Sequence, residues 1–178
     1  MSNIHMSSLR GSAALSQFRL EKILSGVKAG VPRVTHLYAE FWHFCWSEQA
    51  LSEQDGKVLQ QILTYGPKLQ EETPAGQFFL VVPRPGTISP WSSRATDIAR
   101  HCGLESVNRL ERGVAYYVTT ADGAPLTDAE VQVLKPLIHD RMTEAVFNDL
   151  QDAGRLYHQG EPAPLSTVDI LEGGRAAL

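Results

Sequence analysis

The chain has 178 residues, 43% of them hydrophobic and 20% charged, with a net charge of −4; this is a globular composition, and it excludes a disordered chain. The acidic balance gives no general attraction to a phosphate backbone and disfavours a nucleic-acid binder. No apolar run is long enough to cross a bilayer, and two distant cysteines, Cys45 and Cys102, exclude a disulfide framework or a zinc site and suit a reducing, cytoplasmic setting.

The opening "MSNIHMSSLRGS" lacks the charged start and apolar core of a signal peptide. Residues 1–7 are read as a disordered or expression-derived lead, and a short strand is expected around Ser8–Gly11. "ALSQFRLEKILSG" repeats apolar residues at helical spacing, and Pro32 then breaks the chain. "RVTHLYAEFWHFCW" is rich in aromatic and branched residues and predicts a long strand. "LSEQDGKVLQQIL" predicts a helix capped by Ser52, with Val58, Leu59, Ile62 and Leu63 on one face.

The same order then recurs. "QFFLVVP" predicts a strand, "SSRATDIARHCG" a helix, "SVNRLERGVAYYVTT" a long strand and "LTDAEVQVLKPLIHD" a helix opened by Thr127. Val34 and Leu37 fall on Val107 and Leu110 at an offset of 107 − 34 = 73, and Phe41 falls on Val114 at the same offset. The two capped helices align at 126 − 51 = 75. Two repeats, about 8–66 and 77–140, therefore predict a duplicated α+β fold, ferredoxin-like, with antiparallel sheets and helices packed on one face. Residues 141–160 are expected to form a connecting helix, with Met142, Val146, Phe147, Leu150 and Tyr157 as its apolar contacts. The proline- and glycine-rich stretch 161–178 is expected to open a further module.

No glycine-rich phosphate loop, nucleophile elbow or metal-ligand spacing is present in the sequence. Cys45 and Cys102 are both expected to be packed small hydrophobes. The chemistry-bearing stretch is "PRPGTISPWSSR", between the third strand and third helix. Ser89 before Pro90 matches a helix N-cap followed by proline at the first helical position, with Ser92 and Ser93 as alternative caps. Arg84, Thr87, Ser89, Ser92, Ser93 and Arg94 around a helix N-terminus have the composition of an anion cradle. They also suit a rigid corner whose hydroxyls cap the helix and whose Trp91 plugs the core, and composition favours the corner. Arg109, Glu111 and Arg112 are read as a charge-guarded strand edge.

The segment from Pro83 to Ala99, together with "LRGSAALSQFRLEKIL", "LYAEFWHF", "RLERGVAYYV" and "LIHDRMTEAVF", resembles the N-terminal region of the large single-chain phosphoribosylformylglycinamidine synthases, or formylglycinamide ribonucleotide amidotransferases. The likeness covers nearly the whole chain and implies a domain similar to a dimer of the small PurS-type subunit, in agreement with the duplication. It further implies membership of a ligase that makes formylglycinamidine ribonucleotide in purine biosynthesis. That ligase uses ATP, magnesium and glutamine-derived ammonia, on synthase, linker and glutaminase domains beyond this one. Residues 161–178 would then begin the linker domain, and no cofactor or metal is expected on this chain. Arg94 stands where relatives often carry lysine, a change that keeps the charge and alters its hydrogen-bond geometry.

By this resemblance the loop carrying Arg84, Thr87, Ser89, Trp91, Ser92, Ser93 and Arg94 is expected to face the synthase domain near its substrate or ammonia route, without a catalytic role. The alternative is a free-standing PurS-like assembly or regulatory module serving a separate synthase. On an isolated domain, Trp42 and Trp46 are expected to lie bare and drive self-association.

Overall fold

Every main helix starts at a side-chain cap. Ser16, Ser52, Ser89 and Thr127 each accept a backbone N–H three residues on, and Thr127 completes a capping box with Glu130. In the computed structural model, which describes residues 5–66, 74–157, 167 and 170–177, these caps open α1 (Gln17–Gly30), α2 (Glu53–Leu63), α3 (Pro90–His101) and α4 (Asp128–Ile138). The strands are β1 (His5–Ala13), β2 (Val34–Ser47), β3 (Gln77–Pro83), β4 (Val107–Thr120) and β5 (Glu144–Phe147). A 3-10 helix, Gln151–Tyr157, follows, and Ile170–Gly173 forms a short turn of helix, α5.

The strands form one antiparallel sheet in the order β1-β2-β4-β3-β5. The long strands β2 and β4 pair at its centre, and their alternation of side chains separates the core into two layers. On one face, α1 and α4 cover Leu37, Ala39, Phe79, Tyr116 and Val118, while α2 and α3 cover Cys45, Val107 and Leu110. On the other face, Phe44, Leu80, Val82 and Ala115 pack under Phe147 and the 3-10 helix residues Ala153, Leu156 and Tyr157. The expected α+β, ferredoxin-like sheet with its helices on one face is thus present.

The duplication leaves a pseudo-two-fold axis. Phe41 pairs with Val114, its own counterpart at 114 − 41 = 73, and Leu37↔Val118 is mirrored by Cys45↔Leu110. The axis therefore passes through the Phe41–Val114 pair, and each helix pair takes one member from each repeat. The α1–α4 pair is tight. A Cβ built on Gly30 would lie 2.7 Å from Val133 Cγ1, and one on Gly26 would lie 3.5 Å from Leu137 Cδ1. Only a residue without a side chain lets Val133 come this close at position 30.

Several expectations are corrected. The expected connecting helix over 141–160 is replaced, in its described part up to Tyr157, by a strand and a 3-10 helix, and 158–160 lie outside the described residues. Glu144–Phe147 pairs with β3 through Leu80↔Phe147, Val81↔Val146 and Val82↔Ala145, because "TEAVF" meets the free edge of β3 with strand-forming residues. The Asp140 and Asp149 carboxylates each accept a backbone N–H two residues on, from Met142 and Gln151, which favours turns there over helix. Met142, expected among that helix's apolar contacts, is 77% exposed. β1 begins at His5 and takes in residues assigned to the lead, while residues 1–4 and most of 158–169 lie outside the described residues. Trp42 and Trp46 are half-buried, Trp42 donating to Glu40 Oε1 (2.9 Å) and Trp46 packing 5.3 Å from the Tyr157 ring. Cys45 is buried as expected, but Cys102 is exposed.

The close α1–α4 approach makes a prediction. Gly30→Ala overpacks against Val133 and is expected to destabilise the fold by about 1–3 kcal/mol, measured by urea unfolding. Unchanged or raised stability would contradict the described packing.

Candidate functional site

The proline-rich corner is built from the sheet outward. Pro83 ends β3, and Arg84 N–H donates to the carbonyl of Thr143 (3.0 Å). Gly86 turns with φ +84°, a conformation that costs other residues a clash with their own Cβ. Thr87 closes the turn, its N–H and Oγ1 both donating to the Arg84 carbonyl at 3.1 and 2.6 Å. Ser89 then caps α3, accepting from the Ser92 N–H at 3.0 Å, and Pro90 occupies the first helical position.

Beneath this corner lies Glu111, with no exposed surface. Its carboxylate accepts from Ser89 Oγ (2.6 Å), from the Arg109 Nη2 (2.7 Å) and from the Arg112 backbone N–H (3.1 Å). Arg109 also donates to the carbonyls of Thr87 (2.7 Å) and Leu156 (3.3 Å) and lies over the Tyr157 ring. One largely buried ion pair thus ties the corner, the start of α3, the central strand and the 3-10 helix together. Ser92 is likewise fully buried, donating to the Leu110 carbonyl, and Thr96 bridges the Ser92 carbonyl and the Leu110 N–H at 2.8 and 2.9 Å.

The seven singled-out residues therefore separate into two sets. Ser89, Ser92 and, in part, Trp91 face inward and hold the corner; Arg84, Thr87, Ser93 and Arg94 are exposed on its rim beside Ile88, which is 64% exposed. The hydroxyls of Ser89 and Ser92 are taken up by Glu111 and Leu110, so the corner reading accounts for them and the anion cradle does not. The strand-edge reading of Arg109, Glu111 and Arg112 is overturned, because β4 is central and Glu111 pairs with Phe44 of β2.

Two depressions flank the first turns of α3. On one side a cleft of about 420 Å³ is lined by Trp46, Ile88, Ser93, Asp97, Arg100 and Asn108, among others. On the other a more apolar groove lies against α2. At the head of that groove stands a cluster missed in the sequence. The Arg112 guanidinium lies 4.2 Å from the Phe41 ring centre and 5.0 Å from that of Trp91, and it donates to Tyr65 Oη at 3.1 Å. His43, fully buried, contacts Tyr65 Oη through Nε2 at 2.7 Å. Burial, and secondarily the nearby Arg112 charge, hold the His43 imidazole down to about 4. Phe41 was legible as a strand former; its convergence with Tyr65 and Trp91 on Arg112 depends on how β2 pairs with β4 and how the end of α2 and the start of α3 pack on them.

Two measurements check this description. Glu111→Ala leaves Arg109 without its buried partner and is expected to cost about 3–5 kcal/mol of stability, whereas Ser93→Ala on the rim stays within about 0.5 kcal/mol; equal effects would contradict the inward and outward division. His43 takes up a proton more readily unfolded than folded. Its contribution is therefore complete above pH about 6.5 and is lost as pH falls toward about 4, by about 3 kcal/mol. His43→Gln should flatten that part of the stability–pH curve, and an unchanged slope would contradict the assignment.

A sequence profile described as formylglycinamide ribonucleotide amidotransferase N-terminal matches residues 40–157. The match runs from β2 through the 3-10 helix and so contains the corner, the buried Glu111 pair, the Arg112 cluster and both depressions. The chain belongs to the family of formylglycinamide ribonucleotide amidotransferase N-terminal domains.

Proposed function

We propose that this chain serves a ligase of purine biosynthesis that converts formylglycinamide ribonucleotide to formylglycinamidine ribonucleotide, and that it does so by docking rather than by chemistry. The corner from Arg84 to Arg94 is the face that meets the synthase domain and steadies its substrate-bearing or ammonia-conducting side. ATP, magnesium and glutamine hydrolysis belong, in this proposal, to the other domains of the full-length enzyme, and its place is the cytoplasm. No catalytic step is assigned to a residue of this chain. Among the described residues no group of three His, Cys, Asp or Glu comes together to hold a metal ion, and the sequence carries no glycine-rich phosphate loop.

The observation that carries the reading is the corner's construction. Two prolines, a turn glycine and a fully buried carboxylate fix a short loop whose outer side chains of Arg84, Ile88, Ser93 and Arg94 are exposed to solvent. Arg84 makes one long hydrogen bond to the Met142 carbonyl (3.4 Å), and Ile88 stands 64% exposed between them and α3. Rigidity of this kind lowers the ordering cost of an interface, and a docking surface that positions a substrate site acts through geometry, where small displacements cost large factors in rate.

The test places bulk and charge on the rim without touching the buried set. Arg84→Glu combined with Ser93→Trp in the full-length enzyme is expected to lower glutamine-dependent amidine formation by roughly ten- to a hundredfold, with the melting temperature of the isolated 178-residue chain unchanged. Turnover and substrate affinity equal to the parent enzyme would contradict the docking role.

A further inference from the structure

The two helix pairs are related by the pseudo-two-fold axis, yet only one is closed. Between α1 and α4, glycines 26 and 30 admit Leu137 and Val133 into direct contact. Their counterparts at the helix offset of 75 are Ile62 and Val58 of α2, both packed against the core beneath α2 and α3, with Ile62 on the α3 side. There the helices stand apart and leave a groove of about 520 Å³. Leu63 and Ala95 are its buried floor, and Ile62, Tyr65, Trp91 and Ile98 are its walls, Ile98 being 52% exposed. The duplicated fold thus brings one helix pair into contact, with Val133 and Leu137 still 39% and 41% exposed at its rim, and holds the other apart around an apolar groove.

The groove is also charged on one sign only. Arg94 lines it and Arg112 stands at its head over Phe41 and Trp91. Among the described residues neither guanidinium has a carboxylate partner, and no acidic side chain lines the groove. In a chain with a net charge of −4 this is a local reversal of sign. Burying a cation at an interface is favourable when an opposite charge arrives with it.

We infer that the α2–α3 groove receives an acidic amphipathic segment from elsewhere in the same full-length polypeptide, with an apolar side chain seated between Ile62, Trp91 and Ile98 and carboxylates on Arg94 and Arg112. The inference rests on the docking role proposed above, since the groove shares Pro90, Trp91 and Arg94 with the corner. It adds a second anchor on the other side of α3 from the Ile88 rim, and it names the chemistry of what fills it.

The test is photo-crosslinking in the full-length enzyme. A benzophenone side chain replaces Ile98, which is exposed enough to carry it. The expected product is an intramolecular crosslink to a segment in which an aliphatic or aromatic residue neighbours Asp or Glu, its yield reduced about tenfold or more by Arg94→Glu, a loss equivalent to about 1.4 kcal/mol. Absence of a crosslink, a crosslink to a second copy of the enzyme, a basic or uncharged target, or indifference to Arg94→Glu would each overturn the groove assignment. A second probe at Ile88 separates this from the docking role. Crosslinks from Ile88 but not from Ile98 defeat the groove and leave the corner standing, whereas none from either position defeats both.

Discussion

A carboxylate without access to water fixes where the third helix begins. Glu111 sits on the central strand, and a buried carboxylate is tolerated only when its lone pairs are filled. Arg109, Ser89 Oγ and the Arg112 N–H fill them. The requirement runs outward from there. Ser89 must stay at the helix cap to reach Glu111, and the stiff Pro83–Pro90 segment must bring it there. Arg109 must hold the 3-10 helix through the Leu156 carbonyl. The rim residues that point to solvent are exposed because the others are committed.

Around that anchor the molecule is a duplication with its symmetry broken in useful places. The axis at Phe41–Val114 makes the two halves of the sheet alike. The helix layer departs from it, tight at Gly30–Val133 and open at Ile62–Ile98. The buried acids depart from it as well. Glu40 is held by Arg10 at 2.6 Å, and Glu111 by Arg109 at 2.7 Å, but the two acids are not counterparts, since 40 + 73 is Gly113. Each half has solved the burial of a charge separately, and only the second half ties the solution to a loop.

Much of this was legible in the residues. The capped helices at Ser52, Ser89 and Thr127 and the two long aromatic strands announce themselves by local chemistry, and the repeat follows from their order. The segment after Asp140 did not, because "TEAVFNDLQDAGRLY" carries apolar residues at spacings that suit a helix. What decides against it is the free edge of β3, a feature of the assembled sheet. The corner's rigidity could be read from its prolines, but not the direction of its hydroxyls. That Ser92 faces the Leu110 carbonyl while Ser93 faces water depends on how α3 lies on β4. The Arg112 cluster was hidden for a similar reason, since Phe41, Tyr65, Trp91 and Arg112 are drawn from four separate stretches.

The most direct measurement of the account is complementation in trans. The full-length amidotransferase lacking residues 1–178 is assayed for glutamine-dependent formation of the amidine, with and without this chain added. The account predicts a truncated enzyme of low activity that recovers, saturably, as the chain is titrated in. Full activity without the chain would contradict it, because a surface that completes the enzyme cannot be dispensable to it.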